Sequence, residues 1–216
     1  MKITVDSVIH LLHECAFGSL ATQSIEIAGY PYASLLPFAL DEQHRPLFLI
    51  SGLAEHTKNL IADCRASFLI HSFSGQNVLT ADRVSLVGDV KHIEASQQLI
   101  ARYLRYHPDA EQYLSLGDFA FFKLSPKRAR FVAGFGQMRW MEKAEWAGRA
   151  VFPLADELAV MQELIQVNAR GIRVLGIDCY GFDMERNGKR ERQRFPNGPI
   201  AVEQVGEVVK RFLTAI

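Results

Sequence analysis

Residues 49–60 have the sequence Leu-Ile-Ser-Gly-Leu-Ala-Glu-His-Thr-Lys-Asn-Leu, in which a short apolar run passes into a mixed polar segment. The apolar run at 47–50 predicts a compact strand, and the apolar spacing after it predicts a helix over 53–62. Ser51 and Gly52 separate the two elements, and a serine hydroxyl is a common helix N-cap. The predicted helix turns three apolar side chains toward the interior: Leu53, Leu60 and Ile61.

The junction between this strand and this helix favours an anion. Free backbone N–H groups and the positive end of the helix dipole lie at a helix N-terminus, where they stabilise a phosphate or carboxylate. Ser51 can donate a hydroxyl hydrogen bond to such a group, and Lys58 supplies a positive charge further along the helix. An ordinary capped helix with a solvated charged face gives the same pattern, so the spacing alone leaves both interpretations open.

Other short strands precede and follow this junction along the chain. Apolar runs bounded by turn residues predict six of them, at 18–23, 32–40, 66–71, 82–93, 118–124 and 128–132. Helices are predicted at 5–14 and 95–107, and Gly88 predicts a bulge or a close backbone approach in its strand. Because most strands follow one another at hairpin spacing, we expect an α+β protein whose antiparallel sheet closes into a barrel with helices at its ends.

The pattern restarts after a polar, tryptophan-containing stretch at 143–149, which we interpret as a linker. Beyond it the sequence predicts a helix, a strand, a hairpin and a closing amphipathic helix, at 154–167, 173–179, 182–195 and 202–213. Asn187-Gly188 lies within the hairpin and is typical of a type I′ turn. These elements predict a small C-terminal α-β-β-α domain at 150–216, after a first domain at 1–142.

The composition indicates a folded protein with a sizeable core. Of its 216 residues 49% are hydrophobic, and 24 basic residues balance 24 acidic ones. This neutral balance gives no support to nucleic-acid or membrane-surface binding, because both need an excess of positive charge. No export signal or membrane span is recognisable, so we expect a cytoplasmic protein. Three widely separated cysteines favour buried thiols over a disulfide framework or a zinc site: Cys15, Cys64 and Cys179.

A second group of chemically capable residues lies at 134–140, with the sequence Gly-Phe-Gly-Gln-Met-Arg-Trp. The two glycines around Phe135 permit a tight turn and a close approach to a flat ligand. Arg139 can pair with a phosphate or propionate through two hydrogen bonds, and Trp140 or Phe135 can stack on a conjugated ring. A tight turn beside a buried tryptophan explains the same residues without any ligand.

The sequence does not identify catalytic residues. It contains no GxSxG, GxxxxGKS or GxGxxG motif, and its seven histidines form no HExxH or HxH spacing. His10 and His13 could share one helix face, where a surface or half-buried pair is a simpler interpretation than a metal site. The segment 178–181 lacks a second carboxylate or histidine in a recognisable arrangement. Catalytic residues therefore stay unknown, and we predict no metal site.

Three segments together resemble the FMN-binding split-barrel proteins related to pyridoxamine 5'-phosphate oxidase, and most closely their haem-utilisation branch. They are Pro-Tyr-Ala-Ser-Leu-Leu-Pro-Phe at 31–38, the stretch 49–60 quoted above, and Phe-Val-Ala-Gly-Phe-Gly-Gln-Met-Arg-Trp at 131–140. Their order and separation also agree with that family, and the resemblance covers residues 5–142. Residues 176–183 and 194–196 resemble the small C-terminal domain often attached in this branch.

The resemblance implies a homodimer built on a six-stranded antiparallel split barrel, with two equivalent cofactor sites at the dimer interface. It implies that the strands around 34–36 and 49–51 and the helix start hold the flavin ring and phosphate. It also implies that the partner subunit contributes the segment 135–140. The cofactor-binding residues implied in this way are Ser34, Leu36, Ser51, His56, Thr57, Lys58, Asn59, Arg83, Phe135, Gln137, Arg139 and Trp140.

The chain departs from the family pattern at two places. Residues 33–35 contain no arginine, which flavin-binding oxidases usually carry there. No histidine follows His107, whereas haem-degrading members use a histidine near the C-terminus as the iron ligand. Any axial haem ligand must therefore come from elsewhere.

Three hypotheses follow from the sequence. The first is a redox protein that binds FMN and acts as a flavin-dependent oxidoreductase on an unknown small molecule. The second is a haem-binding protein or haem-degrading oxygenase that uses the same cleft. The third is a cofactor-free dimeric binding module.

Overall fold

A computed structural model describes residues 3–72, 79–134, 136–165 and 171–215 of the protein. Its helices are α1 (Val5–Glu14), α2 (Glu55–Ala62), α3 (Gln97–Tyr106), α4 (Glu111–Leu114), α5 (Lys143–Ala147), α6 (Leu154–Leu164) and α7 (Val202–Thr214). Its strands are β1 (Phe17–Gln23), β2 (Pro31–Pro37), β3 (Ala39–Leu40), β4 (Pro46–Ser51), β5 (Arg65–His71), β6 (Arg83–His92), β7 (Phe119–Val132), β8 (Met138–Glu142), β9 (Ile172–Asp178), β10 (Gly181–Arg186) and β11 (Lys189–Arg194). Within these described ranges no helix is both long and apolar enough to cross a membrane.

Eight strands form one antiparallel sheet that curls into a barrel. The hydrogen-bonded order is β2-β1-β5-β6-β7-β4-β3, and β8 pairs with the second half of β7. β2 and β3 lie at opposite ends of this order although only Phe38 separates them in the chain. The backbone N–H of Phe38 donates to the carbonyl of Ala16 (3.1 Å), and its side chain is fully buried. The chain itself therefore joins the two ends of the sheet, which confirms the predicted split-barrel fold.

Gly88 produces the predicted bulge between β6 and β7. The register shifts between Val87 and Gly88, and a Cβ atom at Gly88 would lie 2.2 Å from the carbonyl oxygen of Ser125. Pro126 stands opposite Gly88, where a residue with no N–H to donate fits an irregular pair. β7 therefore continues unbroken through a position where the sequence predicted a gap between two strands.

Helix α2 begins later than the sequence predicts. Its first residue is Glu55 and its N-cap is Ala54, whose methyl group cannot accept a hydrogen bond. The predicted cap, Ser51, instead accepts a hydrogen bond from the backbone of Leu53 (3.0 Å) in the turn before the helix. Leu53 and Ile61, predicted to face the interior, are 76% and 73% exposed. The helix is thus shorter than predicted, and its apolar face is partly turned to solvent.

Polar side chains complete the inner face of α2. Leu60 is buried as predicted, but Thr57 and Asn59 are buried beside it. The Asn59 amide donates to Thr22 Oγ1 (3.0 Å) and accepts from the backbone N–H of Ile25 (2.9 Å). These bonds satisfy the buried amide and tie α2 to the end of β1.

The stretch predicted as a linker is packed against the barrel. It contains α5, in which Trp146 is buried and donates its indole N–H to the carbonyl of Gln43 (3.1 Å). A buried indole with its N–H satisfied stabilises such a contact, because ring burial and hydrogen bonding act together. The polar composition of 143–149 concealed this contact.

The C-terminal part forms a second sheet of three strands in the order β11-β10-β9, together with α6 and α7. Asn187 and Gly188 have positive φ angles of 52° and 72°, which confirms the predicted type I′ turn. One hydrophobic cluster contains Leu12 of α1, Phe68 of the barrel and Phe182 of the C-terminal sheet. The end of the helix predicted at 154–167 lies outside the described residues, and the domain boundaries at 142 and 150 stay a prediction.

Candidate functional site

The first candidate site is a cavity of about 530 Å³ beside the junction of β4 and α2. Its wall combines the end of β4, the start of α2, the end of α3 and the start of β7. The lining residues that can contribute chemistry or stacking include Leu36, Ser51, His56, Tyr106, His107 and Phe119. Three residues implied by the family resemblance, Leu36, Ser51 and His56, therefore line one cavity.

Two histidines line this cavity with different hydrogen bonding. His107 Nε2 lies 2.8 Å from the carbonyl oxygen of Phe38, so the ring donates to that carbonyl and its orientation is fixed. His56 Nε2 is buried and has no hydrogen-bond partner among the described residues. Burial lowers the pKa of both imidazoles, so both rings are neutral at neutral pH. A neutral imidazole with an unpartnered nitrogen can serve as a metal ligand.

The hydroxyl group of Ser51 is already engaged within the protein. It donates to Asp118 Oδ2 (2.5 Å) and accepts from the backbone N–H of Leu53 (3.0 Å). A phosphate placed beside Ser51 would therefore face the carboxylate of Asp118, and like charges at short range repel. This geometry favours a neutral or cationic group over an anion next to Ser51.

The other residues implied at this junction have mixed placements. Asn59 is committed to bonds that hold α2 against β1. Ser34 Oγ and Thr57 Oγ1 are buried atoms without a partner in the described part of the chain. Lys58 is exposed on α2, and Arg83 begins β6. The assignment of these residues to a cofactor stays a prediction.

Gln137 and Arg139 line a second cavity, of about 600 Å³, beside the start of α1. Arg139 is held there by Glu145, whose Oε2 accepts from its Nη2 at 2.5 Å, and by the carbonyl oxygen of Ile3 at 3.2 Å. An anion at this cavity would have to compete with the Glu145 carboxylate for the guanidinium group.

Trp140 lies on the outer surface of β8 rather than in the core. Its side chain is 42% exposed, and the guanidinium carbons of Arg128 and Arg130 lie 4.7 and 5.4 Å from its ring. Phe135, the other predicted stacking residue, lies outside the described residues. Gln137 and Arg139 therefore line a different cavity from the one beside Ser51.

No local sequence pattern predicted the part of the cavity wall that comes from α3 and the turn after it. Tyr103, Tyr106 and His107 all line the cavity. His107-Pro108 marked only the predicted end of a helix, and no local pattern shows which element that end faces. The tertiary fold decides it, because α3 lies between β6 and β7 in the chain and its last residues line the cavity.

A second group of buried polar residues lies between α1 and the C-terminal sheet. We name it the ionic junction, and it comprises His13, His44, Asp178, Asp183 and Arg192. Arg192 donates to both Asp178 oxygens (2.9 and 3.0 Å) and to Asp183 Oδ1 (2.8 Å). His13 Nδ1 lies 2.6 Å from Asp183 Oδ2, and His13 Nε2 lies 3.1 Å from His44 Nδ1.

Burial and the guanidinium group of Arg192 determine which residues of the ionic junction are charged. Burial alone would raise the pKa of both carboxyls, but Arg192 holds the pKa of Asp178 at about 2. His13 and Arg192 together hold the pKa of Asp183 well below its usual value. Burial lowers the pKa of His13 and brings that of His44 to about 3. The junction therefore contains two carboxylates, a guanidinium and two neutral imidazoles, with His13 donating to Asp183.

Three residues of the junction could in principle hold a metal ion. His13, His44 and Asp178 each place one ligand atom within 4.8 Å of the others. Arg192, however, already donates to Asp178 and Asp183, and its charge would repel a metal cation there. We therefore interpret the ionic junction as a structural network that joins the C-terminal sheet to α1.

A family model described as CREG, beta-barrel matches residues 8–148, which contain the complete eight-stranded sheet. The chain belongs to the CREG β-barrel family. This membership, together with the relatives below, confirms the resemblance to the split-barrel haem-utilisation proteins.

Two curated relatives are haem oxygenases by name. The chain is 29% identical over 203 residues to the chloroplastic haem oxygenase HOZ of Arabidopsis thaliana, covering 84% of this chain and 62% of that protein. It is 25% identical over 126 residues to the haem oxygenase HutZ of Vibrio cholerae, covering 55% of this chain and 71% of that one. The chain thus spans less than two thirds of the length of the plant relative.

A solved structure resembles nearly the whole chain. Protein Atu2129 of Agrobacterium tumefaciens, whose function is unknown, has a TM-score of 0.77 at 22% identity, covering 98% of this chain and 94% of that one. At this identity the likeness concerns the fold alone, and it includes the C-terminal sheet as well as the barrel.

Proposed function

We propose that this chain binds haem in the 530 Å³ cavity and degrades it there with oxygen and a reductant. His56 carries the proposal, because its neutral imidazole has a buried Nε2 with no partner among the described residues. A buried polar atom without a partner costs free energy, which a ligand can recover. Haem iron is a suitable ligand, because it binds neutral imidazole nitrogen.

The remainder of the cavity suits a flat, largely apolar molecule. Its volume falls within the range of roughly 300–1,000 Å³ that is typical of small-molecule sites. Tyr113 and Phe119 in its wall are stacked with ring centroids 4.9 Å apart and an interplanar angle of 13°. Bound haem would supply an iron that activates oxygen, while the chain would bind the macrocycle and restrict the access of water.

The names of the relatives support haem over other flat cofactors. Both curated proteins that this chain resembles are described as haem oxygenases. Because this chain covers only 62% of the plant protein, the degradation activity is proposed separately from haem binding. The two parts of the proposal are tested by different measurements.

The haem proposal is tested by titrating haemin into the purified protein and recording the Soret band. Wild-type protein should bind haem, and His56→Ala should weaken binding by about tenfold or more because the iron loses its nitrogen ligand. His92→Ala is the matched control, because His92 is an exposed histidine at the end of β6. Absence of a Soret change with wild-type protein would reject haem binding, and equal affinity of His56→Ala would reject His56 as the ligand.

Degradation is tested with the haem complex. Addition of a reductant in air should bleach the Soret band, while the same addition without oxygen should leave it intact. A stable band in air would restrict the function to haem binding.

We also propose that two copies of this chain form the complete site. Leu35 on β2 and Leu69 on β5 lie on either side of Ser19 in register, and they are 65% and 38% exposed. Two large apolar side chains exposed on one face of the sheet favour a protein interface there. A second copy is the partner that would also bring the 137–140 segment to the cavity.

The dimer is tested by light scattering after size-exclusion chromatography. Leu35→Glu should convert the dimer to a monomer, because a charge would be buried without a partner in the interface. Val208→Glu on α7 is the control, because Val208 is also partly exposed but lies in the C-terminal part. A wild-type monomer, or a dimer that survives Leu35→Glu, would contradict this interface.

FMN is the second candidate ligand. The N-terminus of α2 has alanine at its N-cap, and Lys58 is exposed nearby, so an anionic phosphate could be held there. Lys58→Ala should weaken flavin binding if this is correct. Purified protein that shows flavin absorption and does not respond to haemin would replace the haem proposal, and protein that binds neither would favour the cofactor-free binding module.

A further inference from the structure

Tyr106 connects the cavity to the C-terminal sheet. The residue lies at the end of α3 and lines the cavity. Its hydroxyl group donates to Asp183 Oδ2 (2.6 Å), a member of the ionic junction. The Arg190 guanidinium carbon lies 4.5 Å from its ring centroid. Two residues of the β10–β11 hairpin therefore fix a side chain that belongs to the wall of the cavity.

Gly176 of β9, the cross-strand partner of Asp183, also packs against Tyr106. A Cβ atom at Gly176 would lie 2.0 Å from the Tyr106 hydroxyl oxygen and 2.9 Å from Cζ. Real Cβ atoms do not approach other atoms so closely, so any larger residue at 176 would displace the tyrosine. The strand therefore passes against Tyr106 because it carries a glycine at this point.

The other two tyrosines of the cavity have different surroundings. Tyr103 is buried against Phe121, with ring centroids 5.3 Å apart, and Tyr113 stacks on Phe119. Both contacts belong to the barrel part of the chain, since Phe119 and Phe121 are residues of β7. Among these three tyrosines, Tyr106 is the one whose position is set by residues after 170.

We propose that Tyr106 is a positioning residue through which the C-terminal sheet sets the shape of the cavity and its affinity for haem. This inference rests on the proposed haem binding, and it assigns a role in that binding to a part of the chain that does not line the cavity. The C-terminal sheet acts on the ligand through the hydroxyl bond of Asp183 and the close packing of Gly176. Strand β9 thereby influences haem affinity although it does not line the cavity.

Gly176→Ala tests this proposal because it changes a residue outside the cavity lining. The new methyl group should push Tyr106 from its position, so haem affinity should fall by about tenfold and the Soret maximum should shift. Gly88→Ala is the matched control: its Cβ would lie 2.2 Å from the Ser125 carbonyl, but in the β6–β7 bulge. It should lower the melting temperature at least as much and leave the haem affinity of the folded protein unchanged.

Tyr106→Phe provides the rescue experiment. Removing the hydroxyl group removes the closest contact with a methyl group at 176, so Gly176→Ala combined with Tyr106→Phe should bind haem more tightly than Gly176→Ala alone. Additive losses in the double variant would contradict the proposal. So would a Gly176→Ala protein that folds and binds haem as the wild type does.

Failure of the proposed function has a separate signature. Wild-type protein without a Soret response would reject haem binding itself. The contact between Gly176 and Tyr106 can still be measured in that case. Thermal melting of the wild type, Gly176→Ala, Tyr106→Phe and the double variant gives a double-mutant cycle without any ligand. An additive cycle would reject the contact, and a non-additive cycle would confirm that β9 positions Tyr106.

Discussion

The ionic junction and the cavity wall both contain buried histidines, but their hydrogen bonding differs. In the junction, His13 lies between Asp183 and His44, and Arg192 satisfies both carboxylates. In the cavity wall, His56 Nε2 has no partner within the described residues. Both ring nitrogens of His13 are hydrogen-bonded, which suits a structural role, whereas His56 lines a cavity and keeps one ring nitrogen without a described partner. His44 Nε2 in the junction also has no partner among the described residues, but the charge of Arg192 disfavours a metal ion there.

Among the substitutions that test this contrast, Asp183→Ala should cause the largest loss of stability. The substitution leaves Arg192 and His13 buried without one of their partners, so the free energy of unfolding should fall by about 3–5 kcal/mol. Urea denaturation measures it. Asp63→Ala is the control, because Asp63 pairs with Arg65 on the surface and its loss should have little effect. A small effect of Asp183→Ala would show that the junction does not stabilise the fold.

Acid should weaken the protein through the junction before it protonates ordinary carboxyl groups. Burial lowers the pKa of His44 from 6.5 to about 3, so the unfolded chain takes up this proton first as the pH falls. The stabilising contribution is complete above pH 6.5 and should be lost toward pH 3, at up to about 1.4 kcal/mol per pH unit. The groups that face His44 are His13, Asp178, Arg102 and Arg192.

His44→Asn sharpens this test. His44 has a positive φ of 58°, a conformation that asparagine also tolerates, so the backbone can be kept while the titrating ring is removed. Urea denaturation at several pH values between neutral and mildly acidic measures how the free energy of unfolding changes with pH. For the variant, this slope should correspond to about one proton fewer taken up on unfolding than in the wild type. Equal slopes would mean that His44 does not titrate as burial predicts.

His107→Ala should have an intermediate effect. It removes the hydrogen bond to the Phe38 carbonyl and leaves that acceptor buried, which costs about 1–3 kcal/mol. Urea denaturation of the ligand-free protein measures this loss. A loss as large as that of Asp183→Ala would show that the cavity wall is as structural as the junction.

The smallest change in stability is expected for His56→Ala. Because His56 Nε2 bonds no described residue, the free energy of unfolding should change by less than about 1 kcal/mol. The same variant is expected to lose haem affinity, so it separates ligand binding from stability. A large loss of stability without haem would remove the contrast between the two regions.

The barrel could be predicted because its signals are local. Hairpin spacing, Gly88 and Asn187-Gly188 each act through their neighbours in the chain, and the structure confirms all three. The inner face of α2 could not be predicted, because apolar spacing cannot foresee that Asn59 meets Thr22. Local propensity fails where a distant partner satisfies a polar group.

The cavity and the junction depend on distant pairs. His13 and Asp183 are 170 positions apart, and Tyr106 and Asp183 are 77 apart. The sequence identified Ser51 because it lies where a predicted strand meets a predicted helix, but it placed His56 and Leu36 in the site only through the family resemblance. Nothing in the sequence around Asp178 indicated that α1 would supply its histidine.

The glycine in β9 also bears on how this chain can be recombined with its relatives. A chimera that takes its last 66 or so residues from another protein inherits whatever residue stands at 176, and any side chain there would collide with Tyr106. The C-terminal segment can therefore be exchanged without a clash only when the chimera keeps glycine at 176 together with tyrosine at 106. The barrel and the C-terminal sheet form separate sheets, but neither can be exchanged without regard to the residues that contact the other.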